Sequence, residues 1–172
     1  IDGESHFCEV FLDGARVPVT NRVGAENDGW RVTNVTLRFE RGTAFAGHVI
    51  TLRSQLRRIV TLAGAAVDEL ELRRHIGRLD AQVDALWRMT QRCVTEAEAT
   101  GLPSPLGSAL TLGYSEVGQE IARLGMRLLG RRAIGTDGND TEDAHLVHDY
   151  LWSFQYTIAA GTSQIQRNLI AE

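Results

Sequence analysis

The sequence predicts an all-α fold, an antiparallel four-helix bundle preceded by a short β-strand. From Trp30 onward, apolar residues recur every three or four positions, which is the period of amphipathic helices. Short breaks containing glycine or proline separate these runs, and such connections favour antiparallel neighbours. Only the first 25 residues have the pattern of a strand and turn.

The opening segment combines apolar residues with turn signals at Asp13-Gly14 and Pro18. Its apolar residues are Phe7, Val10, Leu12 and Val17. A single strand needs a sheet to join, and the chain contains no second convincing strand. We therefore interpret residues 1–25 as the tail of a middle β domain with its linker, and residues 26–172 as the helical bundle domain.

Four long amphipathic stripes follow, and a short fifth helix resumes after Gly161-Thr162-Ser163. The stripes are Val35, Phe39, Ala46, Val49, Leu52, Leu56 and Ile59; Val67, Leu70, Ile76, Leu79, Val83, Leu86, Cys93 and Ala97; Ala109, Leu112, Val117, Ile121, Leu124 and Leu128; and Val147, Tyr150, Leu151, Phe154 and Ile158. Each stripe predicts one helix with a buried face.

Composition excludes several classes of protein. The net charge is −4, and all 18 basic residues are arginines spread along the chain, so no nucleic-acid-binding stripe is present. The absence of lysine indicates a bacterial gene of high GC content. No apolar run approaches the length of a membrane span, and the first residues lack the pattern of a signal peptide. We expect a soluble protein of the cytoplasm, where Cys8 and Cys93 stay reduced.

Glu40 is the first candidate for chemistry. Its helical neighbours Thr36, Thr43, Ala44 and Gly47 are all small and leave room beside a carboxylate, and no arginine lies three or four residues away. The alternative is that Glu40 is a solvated helix residue or an ion-pair partner. The residues alone do not decide between this role and a catalytic one.

The second candidate is the run Gly161 to Asn168, in which a glycine turn leads into a new helix. Thr162 can cap that helix, and the free N–H groups at a helix start suit an anionic or polar ligand. An ordinary cap is the alternative, although it does not explain the polar Gln164, Gln166 and Asn168 that follow.

No metal site is predicted. The acidic stretch from Asp137 to Asp143 lacks the glycine and the final glutamate of a calcium loop, and indicates a turn followed by an acidic helix start. Glu142 and His145 have di-iron spacing, but no second such pair exists. We expect His48, His75, His145 and His148 to be surface or interface groups.

Three stretches in order resemble the acyl-CoA dehydrogenase family, in its carboxy-terminal domain. They are Phe7 to Pro18, Val23 to Trp30 and Leu37 to Arg41, and the closing run GTSQIQRNLIAE at Gly161 to Glu172 is similar to that family's flavin-loop signature. The resemblance implies oxidation of an acyl-CoA thioester to the trans-2-enoyl-CoA, with FAD as cofactor and an electron-transfer flavoprotein as its reoxidant.

The resemblance also implies a place for the catalytic base. Most members carry a glutamate directly before the glycine of the closing loop, where this sequence has Ala160. A minority place it on the first long helix of the bundle, and the matching position is Glu40, with Arg41 beside it.

For the cofactor, the resemblance implies contacts from Thr162, Ser163 and Gln164, and further ones near Arg73 and Gly130. The sequence departs from the family at Arg74 and Arg127, where a glutamine is common, and its Arg-x-Phe-Gly stretch is not recognisable.

These departures leave two main functions open. The chain is either a catalytic domain that uses Glu40, or a silent protomer that completes a partner's flavin site, as in actinobacterial heterotetramers that degrade steroid side chains. An oxidase of the same family is a third alternative. We expect homo- or hetero-oligomers with acyl-CoA dehydrogenase subunits, and no activity from the isolated fragment, whose apolar faces favour self-association.

Overall fold

The computed structural model describes residues 5, 8–40, 45–135 and 141–171, with the side chains of residues 38–40 excepted. The described residues contain six α-helices and no strand. The helices are α1 (Gly29–Glu40), α2 (Phe45–Ala63), α3 (Leu70–Thr100), α4 (Gly107–Leu129), α5 (Glu142–Ser153) and α6 (Ser163–Ala171). The predicted all-α fold class is confirmed.

Helices α2 to α5 form an up-down-up-down bundle. Against α4, the contacts of α3 run in the opposite order along the chain, since His75 meets Glu120 whereas Leu86 meets Gly113. The contacts of α2 run in the same order, since Phe45 meets Tyr114 and Ile59 meets Gly125. Diagonal helices of an up-down bundle are parallel and adjacent ones antiparallel, so these contacts establish the topology.

Local sequence sets the ends of these helices. Gly101 ends α3 in the left-handed conformation, with φ at 66°, and its N–H donates to the Ala97 carbonyl at 2.9 Å. Thr141 caps α5, because its Oγ1 accepts from the Ala144 N–H at 3.2 Å. Both boundaries match the sequence prediction of a break at 101–103 and an acidic helix start at Glu142.

Helix α4 lies at the centre and packs against α2, α3, α5 and α6. Its apolar residues meet those of the neighbouring helices in one continuous core. The fully buried large side chains of this core include Leu52, Ile59, Leu79, Val83, Leu110 and Ile121. Many members of the predicted stripes lie in this core, whereas Val35, Leu70, Phe154 and Ile158 are each at least 40% exposed.

The opening segment is exposed and contains no strand in its described part, residues 8–28. A 3-10 turn at Val19–Asn21 is its only helical element before α1. Val10, Phe11, Leu12 and Val17 are more than 70% exposed. A strand requires a partner for its backbone N–H and C=O groups, and the described residues supply none, so the predicted strand is absent here.

The first predicted helix extends on both sides of residues 41–44, which lie outside the described residues. Helix α1 covers its amino-terminal part and α2 the rest. Among the described helices, none is both long and apolar enough to cross a membrane.

Two glycines of α4 admit close packing from α2. A β-carbon at Gly118 would lie 3.0 Å from the Tyr156 ring and 3.2 Å from Leu52 Cδ2, and one at Gly125 would lie 2.9 Å from Ile59 Cδ1. Side chains do not approach this closely without displacement, so the spacing between α2 and α4 depends on these glycines.

We predict that Gly118→Val lowers the free energy of unfolding of this chain by about 2 kcal/mol, because the branched side chain overpacks the space held by Tyr156 and Leu52. Urea denaturation followed by circular dichroism measures the change. The matched control is Gly77→Val on α3, where an added β-carbon meets nothing within 4 Å. We expect it to change stability by less than about 0.5 kcal/mol. Equal losses in the two variants would contradict the packing assignment.

Candidate active site

A cleft of about 370 Å³ opens at one end of the bundle. It lies between the start of α2, the first turns of α4 and the segment at the end of α5. Its lining residues are Phe45, His48 and Thr51 from α2; Thr111, Tyr114 and Ser115 from α4; and Trp152, Gln155, Tyr156, Ala159 and Ala160 from the last segment. The volume is within the usual range for small-molecule sites.

Four rings form one wall of this cleft. The Tyr114 ring centroid lies 5.6 Å from that of Phe45, 5.2 Å from that of His48 and 4.9 Å from that of Tyr156. The His48 ring stacks on Tyr114 at an interplanar angle of 24°. The Phe45 and Tyr156 rings meet Tyr114 at interplanar angles of 70° and 50°, so the four rings form an interlocked cluster.

Burial raises the pKa of the Tyr114 phenol far above its ordinary value, and raises that of Tyr156 as well. Both therefore remain neutral throughout the physiological range of pH.

A buried polar network extends from this wall into the bundle. Gln55 of α2 is 5% exposed and lies beside Tyr156 and Asp149. Asp149 pairs with Arg58 Nη1 at 3.1 Å, and Arg58 Nε donates to Glu142 Oε1 at 2.5 Å. The network ties α2 to α5 immediately behind the cleft.

Burial raises the pKa of Asp149, although Arg58 and the hydrogen bond from Gln55 oppose the shift. An acid with a raised pKa binds its proton more tightly in the folded state. Its contribution to stability is therefore largest at low pH, and it declines as pH rises above the ordinary Asp value of about 3.9.

We predict that Asp149→Asn gains stability relative to the unchanged chain as pH rises from about 4 to 7, because the variant lacks a buried group that must ionise. Urea denaturation at several pH values measures the difference. Asp80→Asn on the surface of α3 serves as the control, and its difference from the unchanged chain should stay flat. A difference for Asp149→Asn that moves the opposite way would show that Arg58 dominates its environment.

The closing loop lies at the edge of the cleft. Ala160 adopts a φ of 55° and Gly161 a φ of 96°, and both lie in the left-handed region. Gln166 of α6 is 1% exposed, and its Nε2 donates to the Ala160 carbonyl at 2.8 Å and to the Gly161 carbonyl at 3.3 Å. Gln166 thus holds the loop in its strained conformation.

Thr162 caps α6 as predicted, since its Oγ1 accepts from the Ile165 N–H at 3.3 Å and its carbonyl accepts from the Gln166 N–H at 2.9 Å. Thr162 and Ser163 are half-buried and Gln164 is exposed. The N–H groups of Ser163 and Gln164 occupy the first turn, where the helix itself offers no acceptor. These N–H groups are therefore available to a polar or anionic ligand.

Other predicted site residues lie elsewhere on the protomer. Arg73, in the first turn of α3, donates to Asp68 Oδ1 at 2.8 Å and to the Val67 carbonyl at 3.2 Å. Gly130 ends α4 with a φ of 55°. Neither residue lines the cleft, so a cofactor that contacts all five predicted positions extends well beyond it.

Glu40 is the last residue of α1, and its side chain lies outside the described residues, as does the whole of Arg41. Phe45, only five positions after Glu40, lines the cleft. Five residues span at most about 18 Å, which bounds the distance between Glu40 and this end of the cleft.

Sequence reasoning missed the aromatic wall. His48, predicted to be a surface or interface group, is exposed as expected, whereas Tyr114 and Tyr156 are absent from the predicted stripes. Tyr114 follows Leu110 by four positions and precedes Val117 by three on the buried face of α4. This helical spacing is the sequence signal that could have predicted the burial of Tyr114. Tyr156 lies in a 3-10 segment, Phe154–Thr157, where helical periodicity does not apply.

No cluster of potential metal ligands occurs in the part of the chain that the structure describes. Glu142 and Asp143 instead pair with Arg58 and Arg132, and His145 lies 4.0 Å from Glu142. Residues 137–140 of the acidic stretch lie outside the described residues.

The helical bundle with a glycine loop closing its cleft defines a class of carboxy-terminal helical domain, and comparisons identify the family. Residues 27–172 match the family described as "Acyl-CoA dehydrogenase, C-terminal domain". The chain belongs to the acyl-CoA dehydrogenase family. The predicted family membership is confirmed.

Similar proteins come from mycobacteria. The chain is 34% identical to acyl-CoA dehydrogenase IpdE1 of Mycobacterium tuberculosis, covering 100% of this chain and 44% of that protein. It is 31% identical to IpdE1 of Mycolicibacterium smegmatis, covering 100% of this chain and 43% of that protein. Acyl-CoA dehydrogenase FadE34 of Mycobacterium tuberculosis is 30% identical, with 100% of this chain and 23% of that protein covered. The chain thus spans less than half the length of these relatives.

The fold also matches a solved structure, the glutaryl-coenzyme A dehydrogenase glutaryl-CoA complex. The TM-score is 0.74 at 21% identity, over 94% of this chain and 41% of that one. At this identity the likeness concerns the fold, which is the helical region of the larger enzyme.

We predict that Gln166→Leu lowers the free energy of unfolding by about 1 to 3 kcal/mol, because the Ala160 and Gly161 carbonyls lose their buried donor. Chemical denaturation measures the loss, and faster proteolytic cleavage near residue 160 should accompany it. Gln164→Leu, at an exposed position on the same helix, is the control and should stay within about 0.5 kcal/mol. Unchanged stability in Gln166→Leu would contradict a holding role.

Proposed function

We propose that this chain is the carboxy-terminal domain of an FAD-dependent acyl-CoA dehydrogenase in which Glu40 is the catalytic base. The observation that carries the proposal is Ala160 at the edge of the cleft, where a methyl group occupies the family's usual base position. Proton abstraction then requires a carboxylate from another element. Glu40 lies on the first helical segment, within about 18 Å of chain from the cleft residue Phe45.

In this reaction, Glu40 takes the α proton of the acyl thioester while the β hydrogen leaves as hydride, and the product is the trans-2-enoyl-CoA. FAD, when bound, supplies the acceptor for that hydride. The carboxylate becomes neutral on accepting the proton, so exclusion of water by the acyl group favours the transfer. Arg41 adds a positive charge beside the base, which keeps the carboxylate ionised until substrate binds.

The residues of the closing loop support the cofactor in this proposal. Thr162, Ser163 and Gln164 would hold the flavin through the hydroxyl, amide and N–H groups at the start of α6. Arg73 and Gly130 would contribute further contacts outside the cleft. An electron-transfer flavoprotein reoxidises the flavin, and the enzyme works as a homo- or hetero-oligomer. The proposed boundary of this domain lies between residues 25 and 26.

A second candidate function is a silent protomer that completes the flavin site of an unlike acyl-CoA dehydrogenase subunit. Ala160 favours it as well, because a subunit without chemistry of its own needs no base at that position. Arg74 and Arg127, at positions where the family commonly has glutamine, also fit a changed cofactor role. Arg127 Nη2 lies 3.4 Å from His75 Nδ1 on the outer side of α3 and α4.

We predict that Glu40→Gln, in the full-length enzyme with its partner subunit, slows flavin reduction by acyl-CoA about a hundredfold to ten-thousandfold, because the amide cannot accept the proton. Stopped-flow absorbance of the flavin measures the rate. Glu26→Gln, at an exposed position before α1, is the matched control and should leave the rate unchanged.

The double variant Glu40→Gln with Ala160→Glu should recover part of the rate, because position 160 lines the cleft. Flavin reduction by the single variant at the unchanged rate would overturn the role of Glu40. One flavin for every two chains of the complex, together with an unchanged rate of flavin reduction in Glu40→Gln, would support the second function instead.

A further inference from the structure

The lining of the cleft indicates which acyl groups it accepts. We propose that it binds an acyl group carrying an oxygen function away from the thioester, a hydroxyl, keto or carboxyl group, and that His48 and Gln155 hydrogen-bond this oxygen. The inference rests on the proposed function, which assigns the cleft to the acyl group. It adds the class of substrate and two residues that select it.

The first support is the absence of aliphatic walls. None of the described residues lining the cleft is valine, leucine, isoleucine or methionine. Small-molecule pockets are lined by aliphatic or aromatic side chains, and here the apolar part of the lining is aromatic apart from Ala159 and Ala160. This cleft instead presents rings, hydroxyl groups, an imidazole and an amide.

The hydroxyl groups of the lining are already engaged as donors within the protein. Thr51 donates to the Gly47 carbonyl at 3.1 Å, and Thr111 donates to the Gly107 carbonyl at 2.9 Å. Ser115 Oγ lies 2.7 Å from the Thr111 carbonyl and 2.6 Å from the Tyr156 carbonyl. The threonine and serine hydroxyls of the lining therefore already have acceptors within the protein.

His48 and Gln155 differ from the rest of the lining. The His48 ring contacts Phe45 and Tyr114 through its faces and edge, and its nitrogens make no hydrogen bond with the described residues. The Gln155 amide likewise has no partner among the described residues, although its backbone carbonyl accepts from the Ile158 and Ala159 N–H groups. The two side chains come from α2 and from the segment after α5, and they reach one cleft.

This arrangement discriminates between substrates. A plain alkyl chain that fills the cleft removes water from His48 and Gln155 and returns no hydrogen bond. A site built for a polar group rejects the analogue that lacks it more strongly than an apolar pocket rejects a polar analogue. An oxygen on the acyl group replaces the lost water, with Gln155 Nε2 or a protonated His48 nitrogen as donor.

The test measures binding apart from chemistry. Full-length enzyme carrying Glu40→Gln, with its flavin and partner subunit, is titrated with two matched sets of thioesters, a linear set of three and a cyclic pair. The linear set is octanoyl-CoA, its ω-hydroxy derivative and the CoA monothioester of octanedioic acid. The cyclic pair is cyclohexylacetyl-CoA and its ring-hydroxylated derivative. Isothermal titration gives each Kd, and the same thioesters are then tested for flavin reduction by the unsubstituted enzyme.

We expect at least one oxygenated thioester to bind about tenfold or more tightly than its plain counterpart, the contribution of one well-formed hydrogen bond. His48→Phe, which keeps the ring, and Gln155→Leu, which keeps the volume, should each reduce that preference without weakening the plain thioester. Gln91→Leu, at an exposed position on α3, is the matched control and should preserve it. Melting temperatures verify that the variants fold.

The inference would be overturned by any of three results. These are equal affinities within both sets, a preference for oxygenated thioesters that survives both substitutions, and no binding of any thioester. A preference without flavin reduction by any thioester would support the inference and overturn the proposed reaction, so the two failures are distinguishable.

Discussion

The contact between α2 and α4 is the constraint on which the rest of the structure depends. Leu52 and Ile59 lie seven residues apart on α2, and they reach α4 at Gly118 and Gly125, also seven apart. Two turns of helix separate each pair, so the same contact repeats along one seam. Because α4 also packs against α3, α5 and α6, a change in this spacing would move every other helix of the bundle.

The same seam positions the cleft. Tyr156 rests on Gly118 and extends its ring toward Tyr114, which in turn touches Phe45 and His48. The absence of a β-carbon at Gly118 therefore determines how closely the Tyr156 ring, and with it the aromatic wall, packs against α4. The ion pair between Arg58 of α2 and Asp149 of α5 then joins these two helices behind that wall.

Much of this fold could be predicted from the sequence, because amphipathic period, glycine breaks and the Thr141 cap are local signals. The segment 8–18 could not, since strand formation depends on a partner outside the described residues. At the site, the cap formed by Thr162 was predictable from its own neighbours. The aromatic wall was not, because His48, Tyr114 and Tyr156 meet through tertiary packing across three segments distant in the sequence.

The left-handed backbone at Ala160 has a consequence for how such sites diversify. Alanine and glutamate, both unbranched at the β-carbon, bear a similar steric cost there, about 1 to 2 kcal/mol, so the loop's conformation does not depend on which of the two stands at this position. Gln166 and Gly161 hold the loop without help from that side chain. A single substitution of glutamate by alanine at position 160 therefore leaves the loop conformation intact. The fold can tolerate this substitution even before a carboxylate elsewhere takes over the role of base.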